Sequence, residues 1–317
     1  MPKVIFDTDP GVDDAMALLF LHLHPEVELL GITTVFGNAA IETTTRNALF
    51  LCAAFGIDAP VAQGAGVTFD PARAPGQWPE AIHGRNGLGD IALPEPLTLP
   101  ALDPRDGAQF IIDTVRAHPG DVSIVAVGRM TNLALALQRD PQLPELVKDV
   151  TIMGGAFCVQ GNVTPAAEAN IHGDPEAADL VLGAAWPVTV IGLDVTTQTQ
   201  MSRAELAQLA QGGGSLALLH DISQKYIDFY DRIIPDAMLV HDTCACVHLL
   251  RPDLFRTVEG QMRVVCGGIA EGQTILKPAG RPFPPSPWDG VPVQRAAIGV
   301  APEAVMHLIG QVLSGRG

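Results

Sequence analysis

Basic side chains are scarce in this sequence: 19 Lys and Arg stand against 35 Asp and Glu, a formal net charge of −16. Nucleic acid and anionic membrane surfaces both require a basic footprint, so neither is expected as the main partner. The balance suits a protein that holds a cation. Long apolar runs are also missing. The longest, residues 15–21, falls far short of the roughly 20 residues of a membrane span. Charged residues make up only 17 % and apolar residues 47 %, a composition that excludes disorder for the bulk of the chain. Cysteine is sparse and odd in number. Cys52, Cys158, Cys244, Cys246 and Cys266 offer no second pair for a zinc site and read as buried thiols in a reducing cytosol. The opening Met-Pro-Lys-Val-Ile-Phe-Asp has no signal-peptide pattern, so a cytoplasmic location is expected. The 317 residues are ample for a large core, and no repeat or linker divides them, so one domain over 1–317 is expected.

What is present is an alternation of short β-branched runs and amphipathic stretches. Residues 3–6 read as a buried strand, 13–24 as a helix stopped by Pro25, 27–35 as a second strand and 39–55 as a helix ending at Gly56. The pattern returns with a helix over 106–118, a strand over 122–127 and a helix over 132–139 closed by Asp140-Pro141. A strand over 150–153, a helix over 174–185 and a strand over 188–191 follow. Strand and helix at this spacing imply an α/β fold: a mostly parallel, Rossmann-like open sheet with helices on both faces. Two stretches break the rhythm. Residues 64–100 are rich in Gly and Pro and too long for a mere connector. Residues 202–250 read as successive helices, a helical insertion. Beyond Phe255 the signal supports two strands and a final helix over 302–313.

In open parallel sheets, ligands sit beyond the carboxyl ends of the strands. After the first strand comes Asp7-Thr8-Asp9-Pro10-Gly11-Val12-Asp13-Asp14, four carboxylates in eight residues. Asp7 and Asp9, two apart on an extended chain, are read as pointing the same way. Asp13 and Asp14 fall at a helix start, where the dipole favours negative charge. Carboxylates about 4 Å apart repel by roughly 4 kcal/mol at an effective dielectric near 20, so a crowd of them calls for a cation. Oxygen-only ligands select a hard ion, Ca²⁺ or Mg²⁺. Helix capping by Asp13 and amide binding by Asp7 would account for at most two of the four.

Other polar groups follow other strands. Asn38 brings an amide to the same sheet edge, where a plain turn is the competing reading. Glu168 and Asn170 read as alternating on one side of a short extended segment, a donor and acceptor set suited to sugar hydroxyls. His241-Asp242 closes an apolar stretch and opens a helix, so the Asp can cap and the His can donate a proton. His83 lies in a Gly-rich loop that could act as a lid.

With these pieces in order, the sequence resembles the inosine–uridine-preferring nucleoside hydrolases, the N-ribohydrolases, over most of its length. The fingerprint is the Asp-rich segment Asp7 to Ala15. Gly37-Asn38, the His-Gly loop at His83, Gly128 to Asn132, Met153-Gly154-Gly155, Gly161-Asn162, Glu168 with Asn170, and His241-Asp242 follow in the family's order. The resemblance implies a Ca²⁺ ion held by Asp9, Asp14, Asp242 and the backbone carbonyl of Val127, a position often Thr in the family. It implies that Asp13, Asn38, Asn162, Glu168 and Asn170 grip the ribose hydroxyls. Asp9 would be the general base for a water on the ion, His241 the acid for the leaving base, and His83 a nearby substrate contact. The substrates implied are small-molecule ribonucleosides, cleaved through an oxocarbenium-like transition state, by a homodimer or homotetramer. One departure stands out: Ala169 occupies a position where several members have Phe, which removes a stacking surface for the base. Phe157, Trp78, Phe229 and Tyr230 are the candidate replacements.

Two rival readings share the motif. A haloacid-dehalogenase-like Mg²⁺ phosphatase would use Asp7 as nucleophile and Asp9 as acid–base, but it wants a Lys or Arg for the phosphate and a later acidic pair. The strand over 150–153 is followed by Gly154-Gly155-Ala156 instead. A Ca²⁺-dependent ribose or nucleoside binder would keep every ligand and lose only the chemistry.

Overall fold

The computed structural model describes residues 1–74 and 76–315. A continuous apolar run, Val4-Ile5-Phe6, buried on both faces, builds its centre. In the strand β1 (Lys3–Thr8), Val4 and Phe6 face one side of the sheet and Ile5 the other. The strands β2 (Glu28–Thr34), β3 (Val61–Gln63), β4 (Val122–Ala126), β5 (Asp149–Met153) and β6 (Val188–Ile191) follow, each separated from the next by helix. The order in the sheet is β3-β2-β1-β4-β5-β6, all parallel. This is the Rossmann-like arrangement expected from the sequence.

A two-stranded ribbon, β7 (Gln200–Ser202) with β8 (Ala237–Leu239), brackets the helices Arg203–Ala210 and Gly214–Tyr230. With the helix His241–Leu250, these make up the helical insertion. The C-terminal part departs from expectation. Three strands rather than two follow: β9 (Phe255–Val264), β10 (Thr274–Pro278) and β11 (Val293–Val300). β11 joins β6 in parallel, and β9 and β10 add antiparallel beyond it. A Pro- and Gly-rich loop over 279–292 separates β10 from β11 and masks the pairing of β11 with β9 in the sequence. The final helix, Pro302–Leu313, has its expected bounds.

Both sheet faces are covered. The helices Val12–Leu23, Ile41–Phe55, Gly214–Tyr230, His241–Leu250 and Pro302–Leu313 contribute to one core. The helices Gly107–Ala117, Thr131–Arg139 and Pro175–Leu182 contribute to the other. The helix Val12–Leu23 is buried from Val12 through Leu21, and the helix His241–Leu250 packs against it. Each large apolar side chain buried there contributes roughly 1.5–3 kcal/mol. No helix among the described residues is long and apolar enough to cross a membrane.

From β1 the chain winds outward through β2 and β3, and from β4 it winds the opposite way through β5 and β6. The crevice at this reversal opens between the carboxyl ends of β1 and β4, where parallel sheets bind ligands. Asp9 follows β1 and Val127 follows β4, and the Val127 N–H donates to the Asp7 carbonyl at 2.8 Å.

Candidate active site

Two helices begin at this crevice with acidic first turns. Asp13 and Asp14 open Val12–Leu23, and Asp242 opens His241–Leu250. Because the two helices pack together, the three carboxylates converge, with one oxygen from each within 4.8 Å of the others. All three are buried, at 6 %, 1 % and 4 % exposure. Burial raises the pKa of each, and the Asp13 and Asp14 charges raise that of Asp242 further. Local bonds hold Asp14 rigid. Thr8 Oγ1 donates to Oδ1 at 2.5 Å, while the Gly11 N–H and Asn38 Nδ2 donate to Oδ2 at 2.9 and 3.0 Å.

Asp9 stands beside this cluster but is not one of the three converging groups. The Asn38 N–H donates to its Oδ2 at 2.7 Å. Glycines hem it in: a Cβ at Gly37 would lie 2.0 Å from Asp9 Oδ2, and one at Gly128 would lie 2.7 Å from Oδ1. Burial first, then the Asp14 charge, pushes the Asp9 pKa up, and the Arg129 guanidinium partly offsets this.

Asp7 corrects the sequence reading. Instead of turning toward the cluster with Asp9, it accepts from Thr33 Oγ1 on β2 and from Asn132 Nδ2, the latter at 2.7 Å, and it is fully buried. It ties β1 to β2 and to the helix Thr131–Arg139, which leaves it no access to a phosphate and removes the phosphatase reading.

Above the cluster opens a cavity of about 500 Å³. Asp13, Asn38, His83, Val127, Asn162, Glu168, Asn170, His241 and Asp242 all line it, so nine of the predicted site residues share one space. Asp9 and Asn170 also border an adjoining cavity of about 340 Å³. The Val127 carbonyl accepts from Asn170 Nδ2 at 2.6 Å, and its second lone pair is left for another partner.

Glu168 and Asn170 depart from the extended segment expected. Glu168 is the N-cap of the helix Ala169–Gly173. Its carboxylate accepts from the Asn170, Ile171 and Gly155 N–H groups, a bonding pattern that favours the local turn over a strand. Burial raises its pKa against the pull of those amides. Asn162 Oδ1 accepts from the Ala169 N–H at 3.0 Å and holds this wall in place.

Both histidines are buried, at 6 % exposure each. His83 is not a solvated loop residue. It ends the short helix Glu80–His83, and its Nδ1 accepts from the Val12 N–H at 3.1 Å. Its ring meets Tyr226 edge-on at 5.5 Å. Burial, then the proximity of His241, pushes His83 down to about 3. His241 lies 2.7 Å from Thr196 Oγ1 through Nδ1, and burial pushes it down to about 4. Both rings are therefore neutral at pH 7.

The donor set fits a hard divalent cation. It is all oxygen, buried, set at two helix N-termini, and crowded with charges of one sign.

Of the aromatic replacements proposed for Ala169, Phe229 and Tyr230 line the cavity, whereas Phe157 and Trp78 do not. Trp78 packs edge-on against Phe36. Sequence reading missed Tyr226, which stacks on Tyr230 at 4.8 Å. The i, i+4 spacing of the two tyrosines on one helix was the available signal. It also missed Arg129, buried at 8 % with its guanidinium 4.5 Å from the Phe36 ring centre. Thr196 gave no signal, lying in the Thr-rich run 196–199.

A family model described as inosine-uridine preferring nucleoside hydrolase matches residues 4–307. Uridine nucleosidase 1 of Arabidopsis thaliana is 41 % identical over 316 residues, which cover 97 % of this chain and 91 % of that protein. Among solved structures, a plant nucleoside hydrolase superposes with a TM-score of 0.92 at 34 % identity, covering 99 % of both chains. A purine-preferring ribonucleoside hydrolase from Gardnerella vaginalis superposes with a TM-score of 0.89 at 32 % identity, covering 99 % of this chain and 98 % of that one.

Proposed function

Because the chain belongs to the inosine-uridine preferring nucleoside hydrolase family and so hydrolyses the N-glycosidic bond of ribonucleosides, we propose that it does so with a Ca²⁺ ion and a carboxylate base. The observation that carries this reading is the buried cluster of Asp13, Asp14 and Asp242 beneath the cavity. We assign Asp14, Asp242, Asp9 and the Val127 carbonyl to the ion, and Asp13, Asn38, Asn162, Glu168 and Asn170 to the ribose hydroxyls. His83 is assigned to the substrate side of the cavity. When bound, the ion neutralises the carboxylates, fixes ribose oxygens and acidifies water.

The chain's own groups then do the following. Asp9 takes a proton from the attacking water, whose oxygen bonds to C1′. The C1′–N bond breaks, its electron pair leaves with the base, and the base ends with one proton in exchange for the one Asp9 took from water and releases to solvent, giving ribose and free base. Positive charge grows on the ribose in passing, and the carboxylates of Asp13 and Glu168 stabilise it where it develops. His241 faces the departing base. A cavity of about 500 Å³ is within the usual size for a small-molecule site. Stacking for the base falls to Tyr226 and Tyr230 in place of a Phe at 169.

We also assign the chain to the cytosol, in keeping with five free cysteines, and to a homodimer or homotetramer, which light scattering would size. The functional test is reducing sugar released from purine and pyrimidine ribonucleosides with and without a Ca²⁺ chelator. Release that the chelator abolishes and Ca²⁺ restores is expected. Nucleoside binding without release, by folded and Ca²⁺-loaded protein, would replace the hydrolase by a binding protein.

A further inference from the structure

One ring nitrogen of His241, a residue of the cavity wall, lies against Thr196 while the other meets no protein partner, and the nitrogen that carries the proton decides what the ring can do. Thr196 ends the short helix Leu193–Thr196, which follows β6 at the same sheet edge. Its side chain is fully buried, and its Oγ1 lies 2.7 Å from His241 Nδ1. The neighbouring Thr197 hydroxyl donates back to the Leu193 carbonyl at 2.8 Å. The Thr196 hydroxyl has no such acceptor among the described residues, so Nδ1 is the one place its hydrogen can go. Were the ring to donate from Nδ1 to Oγ1, the Thr196 O–H would be left buried and unpaired, the costlier arrangement.

We propose that Thr196 is a positioning residue that donates to His241 Nδ1 and thereby fixes the ring proton on Nε2, aimed at the departing base. The other side of the ring agrees: Nε2 is buried, meets no protein partner, and belongs to a residue of the cavity wall. A nitrogen that accepts carries no proton, so the tautomer follows from the bond alone. His83 is set the same way by a backbone group, since its Nδ1 accepts from the Val12 N–H and its proton also sits on Nε2. Two imidazole N–H groups therefore line the space where the base leaves. They suit a base that gathers electron density on ring nitrogens and carbonyl oxygens as the C1′–N bond breaks, and that needs no protonation beforehand.

This rests on the reading of His241 as facing the departing base, and the test separates the two. In the wild-type enzyme loaded with Ca²⁺, ¹⁵N-histidine NMR should give His241 a protonated Nε2 and a bare Nδ1. The opposite tautomer overturns the proposal without any variant. Thr196→Val should lower kcat on a turned-over ribonucleoside roughly tenfold, the weight of about one hydrogen bond, with KM little changed, and Thr196→Ser should restore it. On 4-nitrophenyl riboside, whose phenolate leaves unaided, Thr196→Val should match wild type. Equal losses on both substrates would make Thr196 merely structural and overturn the proposal. His241→Ala is the control. If it loses nucleoside turnover and Thr196→Val does not, the Thr196 assignment fails alone. If His241→Ala keeps turnover, the reading of His241 fails and the proposal with it.

Discussion

Replacing Asp242 by Asn should stabilise the ion-free protein while abolishing its response to Ca²⁺. The three carboxylates of Asp13, Asp14 and Asp242 lie within 4.8 Å of one another. At an effective dielectric of about 20, each fully charged pair at that distance repels by ~3.5 kcal/mol, or ~10 kcal/mol for three pairs. Keeping one carboxyl protonated relieves two of those pairs, ~7 kcal/mol, and costs less than that, ~1.4 kcal/mol per pH unit above its ordinary value, or ~4 kcal/mol at pH 7. Without the ion, the folded protein therefore holds a proton that the unfolded chain releases, in line with the raised pKa values of all three groups. A raised carboxylate pKa makes the folded state bind more protons than the unfolded one, so this contribution to stability falls as pH rises toward the folded pKa. The amide of the variant carries no charge and needs no proton. In chelator, the variant's advantage over wild type should be ~3 kcal/mol at pH 6 and approach ~4 kcal/mol at pH 7. The buried His83, His241 and His248, pushed down to about 3, 4 and 4, destabilise both proteins alike as pH falls below about 6.5. The difference at fixed pH is therefore the quantity to read. Denaturant unfolding of both proteins, with chelator and with Ca²⁺, measures it. In Ca²⁺ at a hundred times its Kd, wild type should recover ~2.7 kcal/mol that the variant does not. A variant less stable than wild type in chelator, or an advantage that shrinks between pH 6 and 7, would refute the reasoning.

Three further outcomes are expected. Asp9→Ala should cut kcat by roughly 10²–10⁴-fold while nucleoside binding, followed by calorimetry, persists; turnover within a few-fold of wild type would remove Asp9 as the base. Asp7→Asn should stay folded and active, because the Asn oxygen can still accept from Thr33 and Asn132 and the amide replaces the unpartnered Oδ2; loss of activity in a folded variant would give Asp7 a chemical part. Tyr230→Ala removes the partner stacked on Tyr226 at 4.8 Å and should raise KM several-fold, about 1 kcal/mol, with kcat less affected; an unchanged KM would place the base elsewhere.

Much of the frame was legible in the sequence because its causes are local. The unbroken apolar run in Lys3–Thr8, the Gly56 stop and the acidic first turn at Asp13 and Asp14 each follow from neighbours a few residues away. The helix at 169 was misread because the decisive bonds run from the Glu168 carboxylate to nearby amides, and alternating polar residues look the same in either conformation. The strands β9 to β11 were undercounted because the pairing of β9 with β11 spans a Pro-rich loop that carries no period.

That an α/β sheet carries a crowd of carboxylates past its first strand is readable locally, since the apolar pattern and the Asp-rich turn are written within one short segment. Which carboxylates meet follows from long-range packing. Asp242 reaches Asp13 and Asp14 because two buried helices pack start to start, while Asp7, nearer in sequence, is drawn aside by donors on β2 and on the helix Thr131–Arg139. Tertiary packing likewise buried His83 under Tyr226 and set Thr196 against His241. These contacts join residues far apart along the chain, and no local period or propensity encodes them.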